Sequence, residues 1–131
     1  MFGVLLVSDD ASVSRNVRQF VSRLGPDAFL LVCEPREEVV ATAVRAQLHL
    51  VLIDLADASE ARLEQVRAIH EAIPQTWLAV IARFDDIPTT RTVREAGANE
   101  VVPMLHYLAR LRVLVPWLMV HAPGEPSVGS S

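Results

Sequence analysis

The stretch LVLIDLAD, residues 50–57, sets four apolar residues ahead of Asp54 and then adds Leu55, Ala56 and Asp57. A carboxylate closing an apolar run sits at the rim of a core, where an unpaired charge is costly to desolvate. Asp54 therefore reacts, binds a cation, or caps the next segment of chain.

Four other apolar runs frame this one: FGVLLV from Phe2, FLLVC from Phe29, WLAVIA from Trp77 and EVVPM from Glu100. Their starts, with Leu50 in its place, lie 27, 21, 27 and 23 residues apart, room for one helix and two short loops each time. Unbroken apolarity, rather than alternation, predicts strands covered on both faces, as in a parallel sheet.

The segments between carry helical stripes. Val13, Val17, Phe20, Val21 and Leu24 form one, stopped by Gly25-Pro26. Val39, Val40, Ala43 and Val44 form a second, and Leu63, Val66, Ile69 and Ile73 a third, closed by Pro74. A fourth helix is expected from about Ile87 to Ala96, with a stop at Gly97, and a fifth after Met104. Strand-helix alternation repeated in this way predicts an α/β fold, a doubly wound five-stranded parallel sheet with right-handed crossovers.

Composition bounds the rest. At 131 residues the chain fits a single domain over 1–121, with APGEPSVGSS at 122–131 reading as a flexible tail or linker. A net charge of -4 argues against direct nucleic-acid binding. No apolar run approaches the roughly 20 residues needed to cross a bilayer, and the first ten residues lack a secretory n-region, so a cytoplasmic protein is expected. Cys33, the sole cysteine, reads as a buried small hydrophobe. His49, His70, His106 and His121 show no metal-ligand spacing, and neither G-x-G-x-x-G nor a Walker motif is present. Nothing marks the chain as an enzyme.

In a sheet of order 2-1-3-4-5 the carboxyl ends of strands 1 and 3 flank the switch-point crevice, where ligands bind. Ser8, Asp9 and Asp10 end the first run and Asp54 the third, so the topology predicts one acidic pocket from residues 45 apart. Such oxygen ligands suit Mg²⁺. Asp9 is expected to face the pocket, and Asp10 mainly to cap the helix starting near Ala11.

These segments resemble the receiver domain of bacterial two-component response regulators, a flavodoxin-like (βα)5 sandwich. VLLVSDD resembles the first strand with its acidic pair, LVLIDL the strand with the phosphoacceptor aspartate, AVIARFDD the fourth strand and its loop, and EAGANEVVPML the end of helix 4 and the fifth strand. The resemblance covers about residues 2–116. It implies that Asp54 holds the phosphoacceptor position, and that Asp9, Asp54 and the Ala56 carbonyl are what remains of a Mg²⁺ site.

Three positions depart from the family's pattern. The leading acid of the pair is Ser8; the hydroxyl of the fourth strand is Ile81; the lysine of the fifth is Met104, with Leu105 after it. The chain contains no lysine, since its 12 basic residues are all Arg. Losing one preorganised donor in a phosphoryl-transfer site costs on the order of 2.7–4 kcal/mol. The aromatic that reports phosphorylation is replaced by Val101. Arg83 either is a solvated loop residue or neutralises the pocket by a salt bridge to Asp54 or Asp9.

The expectation is thus an atypical receiver with a degenerate phosphorylation site, acting independently of phosphorylation through protein contacts. Divergent amino-terminal receiver-like domains of this kind sit ahead of output modules, including those of pilus-assembly localisation ATPases. The alternative is a working response regulator, phosphorylated on Asp54 by a histidine kinase with Mg²⁺. The last helix, LARLRVLVPWLMVH, is apolar beyond one buried stripe. Pro116 is expected to kink or end it, and Leu111, Trp117 and Leu118 to face a partner, as a homodimer on the α4-β5-α5 face or toward an output domain. Folding of Trp117 back onto the core is the competing reading.

Overall fold

The computed structural model describes residues 1–121; the tail expected at 122–131 lies outside the described residues. Five strands alternate with five helices: β1 Phe2–Val7, α1 Ala11–Ser22, β2 Ala28–Cys33, α2 Val39–Arg45, β3 Leu50–Leu55, α3 Glu60–Ala72, β4 Trp77–Ala82, α4 Ile87–Glu95, β5 Glu100–Pro103 and α5 Tyr107–His121, the last preceded by a 3-10 turn at Met104–His106. All neighbouring strands are parallel, in the order β2-β1-β3-β4-β5. The predicted doubly wound five-stranded sheet is the observed one.

Every residue of β1 and β3 is buried, which is why those runs are continuous rather than alternating. The two-residue period is still present in where the side chains go. Leu5, Val7, Val51, Ile53, Leu78 and Val80 pack with α2, α3 and α4. Phe2, Val4, Leu6, Leu50, Leu52, Ala79 and Ile81 pack beneath α1 and α5. One sheet thus separates two cores, each closed by the stripe of its helices.

The α1 stripe buries Val13, Val17 and Val21, and the helix gives way to Gly25, whose φ of +97° is the left-handed conformation that glycine adopts without strain. The α3 stripe is buried as expected. One reading of a helix face needs correction, and one of the two outcomes expected at Pro116, an end to the helix, does not occur. Val44 points outward, 54 % exposed, because α2 is only seven residues long and its buried side is Val39 and Ala43. Pro116 does not end α5, which runs through it to His121.

The larger correction concerns Leu111 and Leu118. They are 2 % and 0 % exposed and form the inner stripe of α5 with Tyr107, Leu114 and Val115, so neither can face a partner. Fully burying a leucine stabilises by about 1.5–3 kcal/mol, and the sheet claims both. What α5 leaves outward is Val113, Trp117 and Val120 on one side and Met119 on another. Trp117 is intermediate between its two readings: 45 % exposed, its ring sits edge-on to Trp77 at 5.7 Å and stacks on His121 at 4.9 Å.

Polar ties hold α5 in place. Glu100 on β5 accepts two hydrogen bonds from Arg110, both 2.7 Å, and Asn16 on α1 donates to the Tyr107 hydroxyl at 3.1 Å. Among the described residues no helix is long and apolar enough to cross a membrane.

Candidate functional site

The parallel register brings the carboxyl ends of β1, β3 and β4 to one rim, where Asp9, Asp10, Asp54, Ala56 and Arg83 line a cleft of about 340 Å³. Asp54 is the fifth residue of β3, in register with Ile81 of β4. Its side chain is 4 % exposed, so its charge needs partners within the protein.

Arg83 supplies them. It is the first residue after β4, and its backbone N–H donates to the Leu55 carbonyl at 3.2 Å, extending the strand pairing by one step. From there Nε donates to Asp54 Oδ1 at 3.1 Å and Nη2 to Asp54 Oδ2 at 3.1 Å. The same Nη2 donates to Asp10 Oδ2 at 2.7 Å. The fork of an arginine matches the two oxygens of a carboxylate, which a lysine cannot do. Paired with both acids, Arg83 is held protonated even more firmly than an ordinary arginine, Asp54 being the larger cause and Asp10 the second. Arg83 therefore does not lie loose in solvent, and its second acid is Asp10 rather than Asp9.

Ser8, buried at the end of β1, donates from Oγ to Asp54 Oδ2 at 2.9 Å and accepts from the Asp10 N–H at 3.0 Å. The hydroxyl thus does for Asp54 what a second acid could not, because two adjacent carboxylates would repel. Asp10 has a double role. Its Oδ1 caps α1 by accepting from the N–H groups of Ser12 and Val13, at 2.8 and 3.2 Å, while Oδ2 takes Arg83. The Arg83 hydrogen bond first, then the Val13 N–H, holds its carboxyl below the usual aspartate range. Asp9 is exposed at the mouth of the cleft.

Sequence reasoning missed Arg62. From the first turn of α3 its Nη2 donates to the Asp54 main-chain carbonyl at 2.8 Å and its Nη1 to Gln65 at 3.0 Å, while Gln65 reaches the Pro35 carbonyl at 2.8 Å. Burial lowers the Arg62 pKa, and the charges of Asp54, Asp57 and Asp9 oppose that shift. The available signal was an arginine eight residues beyond the pocket acid, in the first turn of the next helix.

Ile81 is 1 % exposed and belongs to the core under α1 and α5, and Met104 is half-buried against that same core. Neither lines the cleft. Mg²⁺ demands near-octahedral oxygen ligation at about 2.0–2.1 Å. Here both Asp54 oxygens and the inner oxygen of Asp10 already accept hydrogen bonds from Arg83 or Ser8. Among the described residues no group of three or more His, Cys, Asp or Glu side chains is arranged to hold a metal ion. The residues as placed do not fit a divalent cation.

No protein-family model and no curated protein matches the chain. Solved structures do match it. A CheY-like protein, TadZ, from Pseudomonas aeruginosa PAO1 aligns with a TM-score of 0.75 at 13 % identity, covering 90 % of this chain and 99 % of that one. A CheY-like response regulator receiver domain protein from Methanospirillum hungatei JF-1 gives 0.71 at 14 % identity, covering 92 % and 98 %. The Mn²⁺-bound form of response regulator Rcp1 gives 0.66 at 18 % identity, covering 99 % and 100 %. The chain has the fold of the CheY-like receiver domains.

The Asp10 carboxyl titrates lower in the folded chain than in the unfolded one. Its contribution to stability is therefore complete above the ordinary aspartate pKa of 3.8 and is lost as pH falls below that value. Asp10→Asn is expected to flatten the acid limb of the stability curve below about pH 4. Urea midpoints of both proteins across that range check it, and parallel acid limbs would contradict it.

Proposed function

We propose that this chain is an atypical receiver domain, a phosphorylation-independent signalling module that acts through protein contacts rather than as an enzyme. The observation that carries the reading is the Asp54 carboxylate, held at both oxygens by Arg83 and at one also by Ser8. To accept a phosphoryl group, an aspartate must turn a free oxygen on phosphorus and meet cations that neutralise the phosphoryl oxygens. Asp54 has given its lone pairs to a guanidinium, and the neighbouring positions Ile81 and Met104 bring no donor to the cleft. The reporting step lacks its parts as well. A ligand shifts a population only through differential contacts, and Ile81 and Val101 have no group that would contact a phosphoryl oxygen.

The partner surface in this reading is the outer side of α5 together with β5 and α4. Val113, Trp117 and Val120 leave 62 %, 45 % and 77 % of their surfaces in water, a contiguous helical side of the kind that marks interaction sites. A second copy of the chain, or an output domain, covers it. A histidine kinase is a partner only if Asp54 accepts a phosphoryl group.

The intact mass after incubation with Mg²⁺ and a small phosphodonor tests the first part. No gain is expected; one phosphoryl group per chain, absent from Asp54→Asn, would overturn it. Sedimentation tests the second. The wild type is expected as a dimer and Trp117→Asp as a monomer of unchanged fold, whereas a wild-type monomer would end the dimer reading.

A further inference from the structure

We infer that the Arg83 guanidinium is the resident cation of this pocket and keeps it closed to divalent metal. The inference rests on the same reading of Asp54, and extends it from what the pocket does not accept to what occupies it.

Charge is the first reason. Asp9, Asp10 and Asp54 converge on one rim, and carboxylates that share a site repel unless a cation stands among them. The cation lining the cleft is Arg83, at 2.7 Å from Asp10 and 3.1 Å from each Asp54 oxygen. A Mg²⁺ ion bound to Asp54 would sit about 2.0–2.1 Å from an oxygen that already holds a guanidinium nitrogen. Two cations would then lie within a few ångströms of each other, in a site whose central carboxylate is nearly dry. Repulsion at that range is severe in any medium less polar than water. Either the ion or the guanidinium can be there, not both.

Tethering decides which. Arg83 is delivered by the chain itself, through a backbone anchored on Leu55, and loses no entropy of association. It also does mechanically what a bound ion would do. One planar group joins the loop after β1 through Asp10, the end of β3 through Asp54 and the loop after β4 through its own backbone. Removing the guanidinium while keeping the acids leaves Asp9, Asp10, Asp54 and Ala56 lining the cleft without the cation that pairs with their side chains, while Arg62 nearby stays on the Asp54 main-chain carbonyl. As placed, these side chains form no metal-ligating group; freed of Arg83, they can turn toward one another and supply the oxygen set that a hard divalent cation takes.

The test measures Mg²⁺ binding to the full chain by calorimetry and by the melting temperature in rising MgCl2 at constant ionic strength. Wild type is expected to show no saturable heat and a flat Tm. Arg83→Ala and Arg83→Gln are both expected to bind saturably, with Tm rising by about 5 °C at a concentration roughly ten times Kd. Adding Asp54→Asn to either is expected to abolish the gain. Using two variants guards against one of them failing to fold, which far-UV circular dichroism reports. Saturable Mg²⁺ binding by wild type would overturn the inference, as would a folded Arg83→Gln that binds no better than wild type. A wild type that binds Mg²⁺ but gains no phosphoryl group would overturn this inference alone and leave the proposed function standing.

Discussion

A nearly dry carboxylate at the end of a central strand is the constraint around which this molecule is arranged. Asp54 is 4 % exposed at its side chain, and a charge so placed survives only with hydrogen-bonded partners. The chain meets that need with one guanidinium from the end of β4 and one hydroxyl from the end of β1. Parallel pairing makes this possible, because it brings the carboxyl ends of β1, β3 and β4 to the same rim although they are distant in sequence. The two cores below that rim, one on each face of the sheet, give the three strand ends a rigid base.

The pocket and the cores divide polar from apolar side chains. Ile81 and Met104, which offer no polar group, both pack with the core under α1 and α5. Both add apolar surface to that core rather than polar groups to the cleft. The electrostatic work is concentrated in Arg83, whose two-pronged geometry serves Asp54 and whose shared nitrogen reaches Asp10 as well. Asp10 in turn links the pocket to α1, since its other oxygen caps that helix. Arg62 links it to α3 through the Asp54 carbonyl.

Much of this was legible in the sequence, for physical reasons. The inner strands β1, β3 and β4 are buried on both faces and must be apolar almost throughout. The edge strands β2 and β5 are only partly buried, yet their apolar runs also stood out, and the spacing of all five left room for one helix each. Polar residues at the ends of such runs are placed by topology alone, which is why Ser8, Asp10, Asp54 and Arg83 meet as the strand order requires. Which atom pairs with which was not legible. Asp9 and Asp10 are adjacent, and which of them meets Arg83 depends on the backbone turn that makes Asp10 the cap of α1 and leaves Asp9 exposed at the mouth of the cleft. On α5 the sequence is apolar on nearly every side, so composition cannot separate the inner stripe of Leu111 and Leu118 from the outer side of Val113 and Trp117; only docking against the sheet does. Arg62 escaped notice because its target is a main-chain carbonyl, and its one signal, an arginine eight residues beyond Asp54, does not point to that target.

If Asp54 and Arg83 stabilise the fold as a pair, a double-mutant cycle measures that directly. Urea unfolding of wild type, Arg83→Met, Asp54→Asn and the double variant gives the coupling free energy between the two side chains. A favourable coupling of about 1.5–3 kcal/mol is predicted, the range for a hydrogen-bonded charged group, with the double variant more stable than the two single losses summed. Additive losses, agreeing within about 0.5 kcal/mol, would contradict the pairing.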